Sequence, residues 1–136
     1  MYVSVTRLKL RSLRYLLPFI VYSLRSARQA KRSVGHIASD VLRDAHGAFW
    51  TRSVWQDERS MRTFMMSGAH RQAMPKLLDW CNEAALVHWE QGSGELPAWD
   101  EGHRRLIAEG RRSKVRHPTP AQDALNYPAP HRRANP

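Results

Sequence analysis

Acidic residues are absent from the start of this chain: the first is Asp40, and eight arginines and lysines precede it. Cysteine is almost absent too, with Cys81 alone among 136 residues. A single thiol excludes an internal disulfide framework and a multi-cysteine zinc site, and it points to a reducing, cytoplasmic compartment. The seven glycines form no phosphate-cradling loop, and there is no G-x-S-x-G turn. The histidines include no His-x-x-x-His pair and have no carboxylate pair set beside them for a metal. Nucleotide binding, nucleophile-elbow hydrolysis and a helical zinc site are therefore excluded. Long hydrophobic runs are also lacking. The apolar stretch YLLPFIVYSL, from Tyr15 to Leu24, is about half of the ~20 residues that a membrane span needs. It imitates the apolar region of a signal peptide, and the acid-free start imitates an organellar transit sequence. Pro18, the following Arg25 and a good strand before it favour a folded first strand and helix over both.

What is present is a mixed pattern of short strands and amphipathic helices. Tyr2–Leu10 alternates as a strand, with Tyr2, Ser4, Thr6, Leu8 and Leu10 on one face and Val3, Val5, Arg7 and Lys9 on the other. Leu16 to about Arg32 reads as a helix with Pro18 in its first turn, Ile20, Leu24, Ala27 and Ala30 inward, and Arg25, Arg28 and Arg32 outward. His36–Asp44 and Ala48–Trp55 read as strands joined by a tight turn at Asp44–Gly47. Asp57 is placed to cap a helix bearing Met61, Phe64 and Met65, and Ser67 to cap another that runs to about Cys81. On that helix His70, Met74, Leu77 and Cys81 share a face, and Pro75 predicts a kink or a boundary. Cys81 ends this apolar run and reads as a buried structural thiol. Ala84–Gln91 is a last strand, and Pro97–Gly110 a helix with Trp99, His103 and Leu106 on one side.

Strand, helix, strand, strand, helix, strand is the order of an α+β, ferredoxin-like β-α-β-β-α-β fold, with a four-stranded antiparallel sheet. Its strands are apolar on both faces. Helices cover one face, and a partner sheet is the simplest cover for the other, which predicts a homodimer. The expected organisation is a domain over residues 1–91, a helical extension over 92–110 and a basic, proline-rich tail over 111–136. Five of the eight prolines lie in that tail, which reads as disordered or draped over the body.

The stretch FWTRSVWQDERSMRTFMMSGAH, with Trp55, Asp57, Glu58, Met61, Phe64 and then Ala69-His70, resembles the dimeric α+β barrel superfamily. That superfamily includes antibiotic-biosynthesis and haem-degrading monooxygenases. The opening VTRLKL resembles its first strand, and a bacterial branch related to spheroidene monooxygenase looks closest. The resemblance spans about residues 2–91. It implies a monooxygenase-like oxidoreductase that holds an apolar small molecule between sheet and helices. Haem-degrading members use the histidine of this helix as the axial iron ligand, which maps onto His70. Their first-strand asparagine and second-helix tryptophan have no counterpart here, where Ser4 and Thr6 stand on the strand and no tryptophan lies between Asp57 and His70.

The resemblance thus makes His70 the candidate catalytic residue or haem ligand, with Ser4, Thr6, Trp55, Phe64 and Met74 shaping the substrate pocket. Cofactor-free members of the superfamily need no haem. Read without the resemblance, His70 is a structural or half-exposed helix residue and the tryptophans are core. The alternatives are a non-catalytic ligand-binding or structural homodimer, and a basic RNA-binding module. The second lacks the aromatic and basic strand signature of RNA-recognition domains, so nucleic acid is not the expected partner. The net charge of +10 leaves an anionic membrane surface as a further partner for the N-terminal helix and the tail.

Overall fold

A computed structural model describes residues 1–130; the last part of the tail lies outside the described residues. The chain runs β1 (Tyr2–Leu10), α1 (Leu16–Arg32), β2 (His36–Arg43), β3 (Phe49–Trp55), α2 (Glu58–Met65), α3 (Gly68–Trp80) and β4 (Cys81–Glu90). Beyond these lie α4 (Trp99–Glu109), a two-residue β5 (Arg111–Arg112) and a short α5 (Pro120–Ala124). The sheet order is β2-β3-β1-β4-β5 and every pairing is antiparallel. This is the ferredoxin-like arrangement that the element order predicts, widened at one edge by β5.

Local chemistry sets the connections. Asp44 is fully buried in the β2–β3 turn: Oδ1 accepts from the amides of His46 and Ala48, and Oδ2 from Trp50 Nε1 at 2.9 Å. Gly47 follows at φ +80°, as the turn requires. Asp57 caps α2 by accepting from the Ser60 amide at 2.7 Å, which also holds its carboxyl below the usual range. Pro75 does not end its helix, which continues to Trp80. Cys81 is buried at the start of β4, and burial pushes its thiol up to about 12, so it behaves as a structural hydrophobe.

The two faces of the sheet are covered differently. Val3, Val5, Trp50, Val54, Ala85, Val87 and Trp89 form one buried face, closed by Leu106 of α4 and by Tyr127. The helix comes so close to β1 that a side chain at Gly102 would meet Val5 at 3.3 Å. The second cover therefore comes from the chain itself, where a partner sheet was the simplest expectation. Among the described residues the tail lies over the body as far as Pro130. Gln122 fixes it by a side-chain rung on β4, accepting from the Ala84 amide and donating to the Ala84 carbonyl, both at 2.9 Å. Thr119 donates to Glu83, and the Tyr127 carbonyl contacts His103 Nε2 at 2.8 Å.

Under this cover lies a buried ion pair. Arg7 Nη1 donates to Glu83 Oε1 at 2.6 Å, and the guanidinium sits 4.3 Å from the centre of the Tyr127 ring. On the opposite face of the sheet, α1 buries Ala30 as expected but not Ile20, Leu24 or Ala27. Phe19 and Ala30 point inward, whereas Ile20 and Leu24 are exposed. The period was right and the phase was not: Phe19 meets Phe49 at 4.7 Å between ring centres, and this contact sets the rotation of the helix.

Candidate functional site

Strand register gathers a polar strip on the α1–α3 side of the sheet. Ser4 pairs with Ser53 on β3 and with His88 on β4; Thr6 pairs with Thr51 and Leu86. Directly paired residues share a face, so four hydroxyls and an imidazole are set side by side. All of them keep partial solvent access although helices lie over this face, unlike Val3 and Val5 behind them. Ser4 and Thr6, expected to touch a ligand, occupy the middle of the strip.

One end of the strip is walled by aromatic side chains. Trp55, buried at the end of β3, donates from Nε1 to Ser53 Oγ at 3.0 Å. Phe64 of α2 stacks on Trp55 at 5.1 Å and lies 4.8 Å from the His70 ring. Trp55, Phe64 and His70 thus form one contiguous group. Met74 stands one helical turn beyond His70 and is 38% exposed, outside this group's ring contacts.

His70 is held at both backbone and ring. Its amide, the third of α3, donates to Gln29 Oε1 at 3.0 Å, so an amide from α1 does the capping expected of Ser67. The Ser67 hydroxyl donates instead to the Thr63 carbonyl. Gln29 Nε2 donates in turn to the carbonyls of Phe64 and Ser67, stitching the end of α2 to the start of α3. The imidazole Nδ1 lies 3.0 Å from the Met65 carbonyl. A carbonyl can only accept, so Nδ1 carries the proton and Nε2 holds the lone pair of the neutral ring. Burial lowers the pKa of His70, partly offset by the bond to Met65. The neutral form is therefore favoured near pH 7.

Two contributors were not singled out from the sequence. Gln29 gave no signal, because an amide on a helix face has no motif. His88 was one of several unspaced histidines, and only the register with Ser4 brings it to the strip. Its Nε2 is buried without a hydrogen-bond partner, its ring lies 5.9 Å from Tyr2, and burial and then the charges of Arg111 and Arg62 lower its pKa. Among the described residues no group of three or more potential metal ligands exists.

One axial nitrogen fits haem, since Nε2 of His70 is the available donor. The space does not: Phe64 packs against one side of the imidazole and is itself stacked on Trp55. A planar macrocycle on that side would have to displace both the ring and its stacking. Haem therefore does not fit beside His70 without that rearrangement.

This architecture is that of the antibiotic-biosynthesis-monooxygenase-like proteins with a ferredoxin fold. A Nitrosomonas europaea protein named after the antibiotic biosynthesis monooxygenases superposes with a TM-score of 0.60 at 16% identity, over 68% of this chain and 100% of that one. SnoaB, a cofactor-independent oxygenase from Streptomyces nogalater, gives 0.56 at 15% identity, over 68% and 93%. A conserved protein from Methanosarcina mazei gives 0.60 at 14%, over 67% and 92%. At these identities the likeness carries the fold, and it does not reach the spheroidene monooxygenase branch. By sequence the chain belongs to the DUF3291 family, a domain of unknown function, whose profile matches residues 22–128. No curated protein matches it in sequence.

Proposed function

We propose that this protein is a cofactor-independent, monooxygenase-like oxidoreductase acting on an apolar, planar molecule held between the sheet and α1–α3. The observation that carries the reading is the His70 imidazole, fixed with its proton on Nδ1 beside Phe64 and Trp55. The accessible part of the Phe64 ring, backed by the buried Trp55, would bind a flat, electron-rich substrate by stacking. The hydroxyls of Ser4, Thr6, Thr51 and Ser53 would hold its polar oxygen. His70 Nε2 would take a proton from an acidic methylene group of the substrate. The carbanion so formed gives its electron pair to dioxygen, forming a C–O bond, and the peroxide regains a proton from the imidazolium. Loss of water then leaves a ketone, so one oxygen atom enters the product and the other leaves as water.

Both faces of the sheet are covered, which weighs against the RNA-binding alternative, since that mode of recognition stacks bases on an open sheet. A homodimer would need a surface other than the face closed by α4 and Tyr127.

Anthrone, a flat tricyclic ketone with an acidic methylene group, is a suitable probe, with dioxygen uptake and quinone absorbance as readouts. The expected result is turnover by the protein as purified, reduced by roughly 10²–10⁴-fold in His70→Ala, the range for a lost general base. An unchanged rate in that variant would overturn the assignment. Titration with hemin separates the cofactor readings: a Soret shift that disappears in His70→Ala would restore the haem alternative.

A further inference from the structure

The rotation of α1 leaves its outer face unlike an ordinary solvated helix surface. Leu13, just before the helix, is 75% exposed, Leu17 73% and Leu24 66%, and Ile20 and Val21 are exposed beside them. At 100° per residue these five lie on one stripe. The same stripe continues along the helix into Arg28 and Lys31, flanked by Arg25 and Arg32. None of these four cations is ion-paired with a carboxylate among the described residues. Arg28 and Arg32 line two shallow, open concavities along the helix. The helix itself carries no acidic residue.

We propose that this face of α1 docks on an anionic lipid surface, lying in the interface without crossing it. No helix among the described residues is long and apolar enough to cross a membrane. A contiguous apolar stripe on a folded surface needs a cover. Lipid headgroups carrying negative charge satisfy the leucines and the cations together: leucines reach the acyl boundary while arginine and lysine meet phosphate. The other occupants match less well. Nucleic acid would use the cations and leave the leucines wet. A second copy paired through the same face sets cation on cation in parallel, or cation on leucine in antiparallel orientation. Docking here would also bring the α1–α3 side of the sheet near the source of an apolar substrate; this last point rests on the function proposed above, but the docking itself does not.

Co-sedimentation of the full chain with vesicles tests the idea, using phosphatidylcholine alone and phosphatidylcholine with phosphatidylglycerol, in near-physiological salt. Binding to the anionic vesicles is expected, at least about tenfold tighter than to the neutral ones. Arg28→Gln/Lys31→Gln should weaken it roughly thirtyfold, from the usual contribution of two surface cations. Leu17→Gln/Leu24→Gln should also weaken it, with an unchanged thermal midpoint because both leucines are exposed. Equal binding to neutral vesicles would overturn the proposal. So would binding insensitive to the leucine pair, which is what cations merely gathered at a charged surface would give. Absence of vesicle binding together with leucine-dependent self-association, or tighter retention on an oligonucleotide, would assign the face to a different partner. Anthrone turnover in solution is read separately, so failure of docking leaves the proposed chemistry standing.

Discussion

Replacing Glu83 with leucine tests the account of how the chain covers its own sheet. Arg7 and Glu83 are 1% and 7% exposed in their side chains and 2.6 Å apart. Besides Glu83, the guanidinium meets ring faces at 5.9 Å (Trp50) and 4.3 Å (Tyr127), while its Nε has no partner. Glu83→Leu would leave that charge buried and uncompensated, at a cost of about 3–5 kcal/mol. The Thr119 hydroxyl, which donates to Glu83 at 2.9 Å, would lose its acceptor for about 1 kcal/mol more. Domains of this size are typically stable by about 5–15 kcal/mol, so the variant should unfold at much lower urea, with a thermal midpoint lower by roughly 12–20 °C. The charge-free double variant Arg7→Met/Glu83→Leu should recover most of the loss, because both desolvation costs disappear with the pair. Urea titration followed by tryptophan fluorescence suits the measurement, since Trp50 is buried on this face. A double variant that loses as much as the two single variants together would refute the pairing and the closure built on it.

Two further outcomes follow from packing and titration. Gly102→Leu should cost about 1–3 kcal/mol by overpacking, since even a Cβ there meets Val5 at 3.3 Å; a urea midpoint equal to the parent's would show that α4 does not lie so close to β1. Burial lowers the pKa of His36, His70 and His88 below the ordinary 6.5, so the unfolded chain takes up their protons first as pH falls. Stability should therefore decline from about pH 7 towards pH 5 and level off above 7. The window is distinct from that of Glu101, held down to about 2 by Arg104 and Arg105, whose contribution persists until pH falls below the usual carboxylate range. Thermal midpoints across this range check it, and a flat profile from pH 7 to 5 would contradict the burial of the three imidazoles.

The sequence by itself determined the four long strands, the helices as far as α4 and their order, because alternation and helical periodicity are local properties of neighbouring residues. It determined the Asp57 cap and the Gly47 turn for the same reason. Through its resemblance it also singled out Trp55, Phe64 and His70, which the fold brings into contact. The phase of α1 was decided only by tertiary structure: Phe19 and Ile20 are adjacent and both apolar, and contact with Phe49 buries the first and leaves the second in water. Likewise Gln29 and His88 have no local pattern, and they reach the site through a contact 41 residues away and through strand register. The cover of the second sheet face was the least legible of all. A tail with five prolines reads as disordered or draped, and only the fold shows how its described part is held: Gln122 bonds to both Ala84 backbone groups, and the Tyr127 ring lies 4.3 Å from the buried Arg7 guanidinium. Neither Gln122 nor Tyr127 stands out by hydrophobic period; each finds its partner only once β4 and β1 lie side by side.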